Sequence, residues 1–451
     1  MDYNKIDQYL HEHLDDSLAE LSEFCRIPTI SAQKLNLPEG AEFAAKMLQA
    51  RGFHTEIHQT NGAPIVFAER KGQTDKTLLF YNHYDVQPPE PLELWDSPPF
   101  EPTIRDGMLF ARGVSDDKGH LTSRLFAIDA ILADRGELPC TVKFVIEGEE
   151  ETSSENVPPF VKANAGKLAA DACIWEFGTV DHEGTPQQIL GLRGICYVQL
   201  SVETASIDTH SGTGGTIFPN AAWRLVWALN TLKGEDEKVR IPGFYDNVVP
   251  PSDRDRELFA KLPDPAEDYK SRYGVKEFLK GVQGGDKLKI QEVFEPSCTI
   301  CGLTSGYQGP GSKTVLPAQA SAKVDFRLVP NQTPEEILDK LRSHLDAEGF
   351  EDVQIEYLGG EAPGRTDPDD PFIQVVVNAA KDAYGVPMAI VPMVGGSGPN
   401  HVFLEELDLP VATAGIGYPG TKAHAPNENV VIDHYFKGAK HITRILMEFA
   451  S

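Results

Sequence analysis

A chain of 451 residues exceeds one ordinary hydrophobic core, so two domains are expected; 41% hydrophobic and 24% charged residues describe a globular rather than a disordered protein. A formal net charge of −27 argues against a nucleic-acid partner, because phosphate contacts need lysine and arginine surfaces. No apolar run approaches the roughly twenty residues of a membrane span, and Met1-Asp2-Tyr3-Asn4-Lys5 carries no signal-peptide core, so the expectation is a cytoplasmic protein without a membrane partner.

In chain order, Ile6, Tyr9, Leu10, Leu14, Leu18, Leu21 and Phe24 share one stripe and predict a single opening amphipathic helix. A second helix runs through Phe43, Ala44, Met47 and Leu48 and stops at Gly52. Strands are predicted at Ile65 to Ala68, Leu78 to Tyr81, Val142 to Ile146 and Ala172 to Phe177, with a helix over Lys118 to Leu132. This alternation predicts an α/β domain, a mostly parallel sheet with helices on both faces.

From about Gly194 to Gly360 the texture changes. Tyr197 to Val202, Ala320 to Phe326 and Val353 to Tyr357 alternate apolar and polar residues, with helices at Asn220 to Leu232 and Pro334 to Leu345. That pattern predicts a small antiparallel sheet with helices on one face, and Glu235 to Asp286 reads as loops and short helices. Cys298-Thr299-Ile300-Cys301 is a lone pair of cysteines, read as a short buried strand in a reducing compartment. The α/β texture resumes with helix Phe372 to Tyr384, strand Val411 to Ile416 and a last helix through Ile442 and Leu446. The expected organisation is a discontinuous catalytic, metal-binding domain, 1–193 and 363–451, interrupted by an α+β lid and dimerisation domain, 194–362.

Four short segments carry the chemistry: Asn82-His83-Tyr84-Asp85, Ala111 to Gly119 with Asp116 and Asp117, Ile146 to Glu151 with its acidic triplet, and Lys422 to Asn429 with His424. Imidazole and carboxylate together suit zinc, manganese or cobalt, and none of the four holds a cysteine. His83 and Asp85 sit at i and i+2, so a strand turns both to one face, where Asp85 can fix the tautomer of a ligating His83. Asp116 precedes a helix, and one carboxylate can bridge two cations about 3.5–4 Å apart. Asp117 is the neighbouring candidate and is also explained as a helix N-cap. Spacing alone does not divide Glu149, Glu150 and Glu151 into roles. Groups delivered at strand ends place the site at the carboxyl edge of the sheet.

These segments, with Trp95 to Phe100, Gly191 to Tyr197, His210-Ser211-Gly212 and Arg327 to Asn331, resemble the M20 family of metallopeptidases in order along nearly the whole chain, most like its cytosolic dipeptidase and carnosinase branch. The resemblance implies two divalent ions per subunit, zinc or manganese with cobalt possible. It puts His83, Asp116 and Glu176 on one ion and Asp116, Glu151 and His424 on the other, with Asp116 bridging and Glu150 as general base. It also implies a cis peptide after Asp116, His210 as an oxyanion donor reaching across a homodimer formed by the lid, and Arg327 as partner of the substrate carboxylate. Gly396 and Ser397, in a glycine-rich turn, are candidates for further contacts to that carboxylate.

The expected activity is hydrolysis of the amide bond of a dipeptide or similar short substrate with a free carboxylate. Glu176 stands where dipeptidases of the carnosinase type tend to carry Asp, which favours an N-acyl-amino-acid deacylase or carboxypeptidase as the alternative. A non-catalytic binding protein on the same fold is disfavoured, since every expected ligand and the base are present.

Overall fold

The structure is a computed structural model and describes residues 2–451. In chain order the elements that matter here are α1 (Asn4–Glu12), α2 (Leu14–Cys25), α3 (Leu37–Ala50), β1 (His54–His58), β2 (Ile65–Arg70), β3 (Gly72–His83), α4 (Lys118–Arg135), β4 (Leu138–Glu147) and β5 (Ala172–Trp175). There follow β6 (Gly194–Glu203), α5 (Ala221–Leu232), β7 (Ser297–Ser305), β8 (Gln319–Leu328), α6 (Pro334–Ala347) and β9 (Gln354–Glu361). The chain ends with α7 (Pro371–Tyr384), β10 (Val411–Thr413) and α8 (Ile432–Phe449). It divides into two compact units: Met1–Gly191 with Arg365–Pro392 and Pro399–Ser451, and Leu192–Gly364 with Met393–Gly398. The segment Met393–Gly398 thus folds with the second unit, although the bounds read from the sequence put it within 363–451.

The first unit is built on a six-stranded sheet in the order β1-β2-β4-β3-β5-β10. β4 and β3 run parallel, as do β3 with β5 and β5 with β10, while β1 and β2 form an antiparallel edge. All ten residues of β4 are buried, which is why the strand reads as a nearly continuous apolar run. The parallel register pairs His83 with Glu147 at the last rung, so the first and third chemical segments leave the sheet side by side.

Helix α4 is buried without a break from Lys118 to Ile128 and packs, with α7 and α8, into the core of this unit. The single helix expected at the N-terminus is two: the stripe continues, but His13 leaves helical dihedrals and its ring bonds Asp16 Oδ2 at 2.9 Å in the first turn of α2. β5 and β10 end earlier than predicted, at Trp175 and Thr413. Beyond them the two chains cross so closely that a Cβ on Gly178 would stand 2.1 Å from the Gly415 nitrogen.

The second unit holds an antiparallel sheet in the order β7-β8-β6-β9. Cys196, Val198, Leu200 and Val202 alternate inward along β6 and share a core with residues of α5 and α6. The cysteine pair corrects the sequence reading in part. It does lie in a strand, β7, but this is an edge strand, with Cys298 buried and Thr299 to Cys301 exposed.

Candidate metal centre

Each of the four chemical segments enters the site from a carboxyl end of the sheet or from a loop braced against it. His83 is the last residue of β3 and is fully buried. Its Nδ1 lies 3.3 Å from Asp85 Oδ1 and 3.1 Å from the Asp85 carbonyl, and its Nε2 lies 3.1 Å from Asp116 Oδ1. The other oxygen of Asp116 is 2.9 Å from His424 Nε2, and that same nitrogen is 3.0 Å from Glu151 Oε2. One carboxylate therefore stands between two imidazoles drawn from opposite ends of the sequence. Asp116, Glu151 and His424 form a ligand group whose donor atoms lie within 4.8 Å of one another.

The acidic triplet separates by the geometry of its turn. Glu150–Thr152 is a 3-10 turn with Glu149 at its start, and three residues per turn send successive side chains roughly 120° apart. Glu149 turns away from the imidazoles and accepts from Asn156 Nδ2 at 2.6 Å. Glu151 faces His424 and also accepts from Gln87 Nε2 at 2.9 Å. Glu150 lines a cavity of about 280 Å³ together with Asp116, Glu176 and His424.

The surroundings fit divalent cations. Glu176 is buried and its Oε2 has no hydrogen-bond partner among the described residues, the state of an acceptor waiting for a positive partner. Burial, and after it the charge on Glu150, holds the Glu176 carboxyl well above the ordinary range. The bonds of His424 to Asp116 and Glu151 push its imidazole up to about 10, and His83 is raised too, its bonds to Asp116 and Asp85 outweighing burial. A donor set of imidazole nitrogen and carboxylate oxygen without thiolate suits zinc, manganese or cobalt.

Two parts of the support were not read from the sequence. Glu428 is fully buried and braces the loop before α4: Oε2 accepts from Arg112 Nη1 at 2.7 Å and Gly113 N at 3.0 Å, while Oε1 accepts from Ser115 N at 2.9 Å and Asp116 N at 3.0 Å. Asp85 accepts the main-chain N–H groups of Glu150 and Glu151 at 3.2 and 3.1 Å, so the residue beside His83 also anchors the acidic turn. Asp117 corrects an expectation. It stands at the N-cap position of α4 but makes no side-chain cap bond; its Oδ2 accepts from Asn82 Nδ2 at 2.5 Å and from His83 N at 3.1 Å. The peptide between Asp116 and Asp117 is cis.

The remaining candidates lie in the second unit. Arg327 Nη1 donates to Ser397 Oγ at 2.8 Å and its Nε to Asp325 Oδ2 at 3.1 Å. The Gly396 carbonyl accepts from Arg193 N at 2.9 Å, so in this turn Gly396 is seen as an acceptor. His210 is exposed, takes a bond from Gly212 N at 3.0 Å and meets Thr314 Oγ1 at 3.2 Å.

Sheet, strand-end ligands and paired imidazoles define a metal-site hydrolase of α/β architecture, and the comparisons agree. Residues 79–448 match the family described as Peptidase family M20/M25/M40, and the chain belongs to that family. It is 28% identical to the Cys-Gly metallodipeptidase dug1 of Schizosaccharomyces pombe, covering 100% of this chain and 99% of that one. It is 25% identical to the Beta-Ala-His dipeptidase of Rattus norvegicus, over 99% and 95% of the two chains. Among solved structures, the M20 family metallo-carboxypeptidase Sso-CP2 of Sulfolobus solfataricus superposes with a TM-score of 0.91 at 36% identity, covering 96% and 99%.

The brace on the Asp116 loop is testable without activity. Glu428→Ala strips the acceptor from a buried guanidinium and three main-chain donors and should lower stability by about 3–5 kcal/mol in denaturant unfolding. A loss under about 1 kcal/mol would show that the loop holds itself.

Proposed function

We propose that this protein is a metal-dependent dipeptidase, cleaving the amide bond of short substrates that carry a free carboxylate. The observation that carries the reading is Asp116, one carboxylate flanked by His83 and His424, with Glu151 on the His424 side and Glu176 in the same cavity. His83, Asp116 and Glu176 would hold one divalent ion, and Asp116, Glu151 and His424 a second; zinc or manganese is the expected metal, with cobalt able to substitute. Bound there, the ions supply a polarised amide carbonyl and a more acidic water.

The chain's own residues do the rest. Glu150, facing the cavity and tied to neither imidazole, takes the proton of the attacking water as the oxygen–carbon bond forms. It returns that proton to the amine nitrogen as the carbon–nitrogen bond breaks. Asp85 holds His83 in orientation. Arg327, steadied by Asp325, and Ser397 beside it supply a carboxylate-binding pair, with the Gly396 turn next to them. The relatives named as dipeptidases, for Cys-Gly and Beta-Ala-His, support this substrate class.

A second reading, carboxypeptidase or N-acyl-amino-acid deacylase, draws support from the 36% identical metallo-carboxypeptidase and from Glu176. Free dipeptides, N-acetylated dipeptides and N-acyl amino acids assayed side by side separate the two. Fast turnover of N-blocked substrates with slow turnover of free dipeptides would favour the second. Within the first reading, Glu150→Gln should keep both ions and lose a factor of at least about 10²–10⁴ in kcat. Wild-type kcat in that variant would mean that the acidic triplet has been divided wrongly. Asp116→Ala should lower the content of both ions, whereas Glu176→Ala and His424→Ala should each weaken mainly one; two tightly bound ions in Asp116→Ala would refute the bridge.

The second unit serves as lid and dimerisation domain, with 194–362 as its sequence bounds, and the protein acts as a homodimer. Supporting this, Trp223 and Trp227 stack with ring centroids 5.9 Å apart on α5 and are more than half exposed, near exposed Ile217 and Phe218 in the chain. The protein belongs in the cytoplasm, in keeping with six unpaired cysteines, five of them buried. No helix among the described residues is long and apolar enough to cross a membrane. His210 would complete the metal site of the partner subunit as oxyanion donor. Mixing inactive His210→Ala with inactive Glu150→Gln and allowing subunit exchange should restore activity, since one site of each mixed dimer then has both groups. Proven heterodimers without activity would place His210 in its own subunit's site or outside the reaction.

A further inference from the structure

Among the described residues Arg124 has no carboxylate partner, and its buried guanidinium touches three of the strand ends that lead into the metal centre. It lies on the buried face of α4, the helix that follows Asp116 and Asp117, and is 1% exposed. Nη1 donates to the Tyr81 carbonyl at 2.8 Å and to Asn82 Oδ1 at 2.7 Å, the two residues before His83. Nη2 donates to the Trp175 carbonyl, to the Glu176 carbonyl at 2.7 Å and to the Ala414 carbonyl at 3.4 Å. Asn82 passes the constraint on: its Nδ2 donates to Asp117 Oδ2 at 2.5 Å, and the same oxygen receives the His83 main-chain N–H at 3.1 Å. A cation of five donors in a rigid fork is the one side chain able to bind three strand ends at once.

We propose that Arg124, acting through Asn82 and Asp117, is the positioning residue for the His83 and Glu176 side of the metal centre. The inference rests on the ligand assignment proposed above, in which His83 and Glu176 share one ion. Two effects of Arg124 oppose each other. Its hydrogen bonds hold the main chain of both ligands, which raises metal affinity. Its positive charge repels incoming cations, which lowers it. The number of fixed contacts decides for the first: the guanidinium bonds the Glu176 carbonyl directly and both residues before His83, and it does so from a helix that cannot shift without displacing Asp116. Lysine keeps the charge and loses the fork, so the two effects can be separated.

The test uses the full-length protein, stripped of metal with a chelator and titrated with zinc ion by calorimetry, with bound zinc counted by elemental analysis. Wild type should take two ions per chain. Arg124→Lys should keep its thermal transition and its first ion while the second weakens by about 10–100-fold. Asn82→Ala, which leaves Arg124 on its carbonyls but removes both its bond to Asn82 and the link to Asp117, should weaken the same ion and decides the matter if the Arg124 variants do not fold. Arg124→Lys combined with His424→Ala should retain no tight ion, since each change removes one position. Two ions bound as tightly in Arg124→Lys and Asn82→Ala as in wild type would overturn the proposal and leave the ligand assignment standing. Tighter zinc binding by Arg124→Met would overturn it also, by showing that repulsion by the guanidinium dominates. Fewer than two ions on the wild type would overturn the assignment and this proposal with it.

Discussion

Like charges that repel have to be kept within reach of the same two imidazoles, and the rest of the first unit is arranged around that constraint. Asp85, Asp116, Asp117, Glu150, Glu151, Glu176 and Glu428 converge on one end of the sheet. In water they would move apart. Three of them are held by main-chain N–H groups, which cannot rotate away: Glu428 by Gly113, Ser115 and Asp116, Asp85 by Glu150 and Glu151, Asp117 by His83. Each bond of this kind ties the position of an acid to the course of the backbone, and the backbone to the sheet. A buried polar network is rigid in proportion to how fully it is satisfied. The Glu176 Oε2 that this network leaves without a partner is therefore a feature of the site rather than slack in it.

Asp85 shows how the two ligand groups come to be coupled. A residue at i+2 from His83 on an extended chain is well placed to orient the ring, and spacing alone reveals that much. What spacing does not reveal is that both oxygens of the same carboxylate also cap the turn carrying Glu150 and Glu151, some sixty-five residues later. The link is possible because β3 and β4 are neighbours in parallel register, with His83 opposite Glu147. The separation between the His83 side and the Glu151 side of the site is thus set by a rung of the sheet and by one carboxylate, not by flexible loops. On the proposed ligand assignment, side chains fixed in this way would need little rearrangement on binding an ion.

The fold was legible where burial imposes a simple period. Apolar runs gave β3, β4 and β5, and alternation gave β6, β8 and β9, because a doubly covered sheet and a half-covered one select different residues. The ligand candidates were legible because acids and histidines closing an apolar strand have little other reason to be there. What escaped was whatever depends on a partner distant in sequence. The break between α1 and α2 leaves the hydrophobic stripe intact, so periodicity passes over it. Asp117 resembles a helix cap and becomes something else only because Asn82 lies opposite. Arg124 sits among Leu121, Leu125 and Ile128 on a helix face that reads as plain core, and its carbonyl partners have no sequence signature at all.

The placement of Met393–Gly398 changes how the labour is divided. Sequence bounds put Ser397 with the metal ligands and Arg327 in the insertion, which would split the two candidates for the substrate carboxylate between different bodies. In the structure both belong to the second unit, joined by a bond of 2.8 Å, with Asp325 holding the other edge of the guanidinium. Arg193 extends the same arrangement, since its main-chain N–H reaches the Gly396 carbonyl and its Nη2 the Arg327 carbonyl at 3.2 Å. Arg327 and Ser397 therefore keep their spacing under any movement of the second unit as a whole. On the proposed reading, the grip on the carboxylate is thus built within one unit, from Arg327, Ser397 and the Asp325 that steadies the guanidinium.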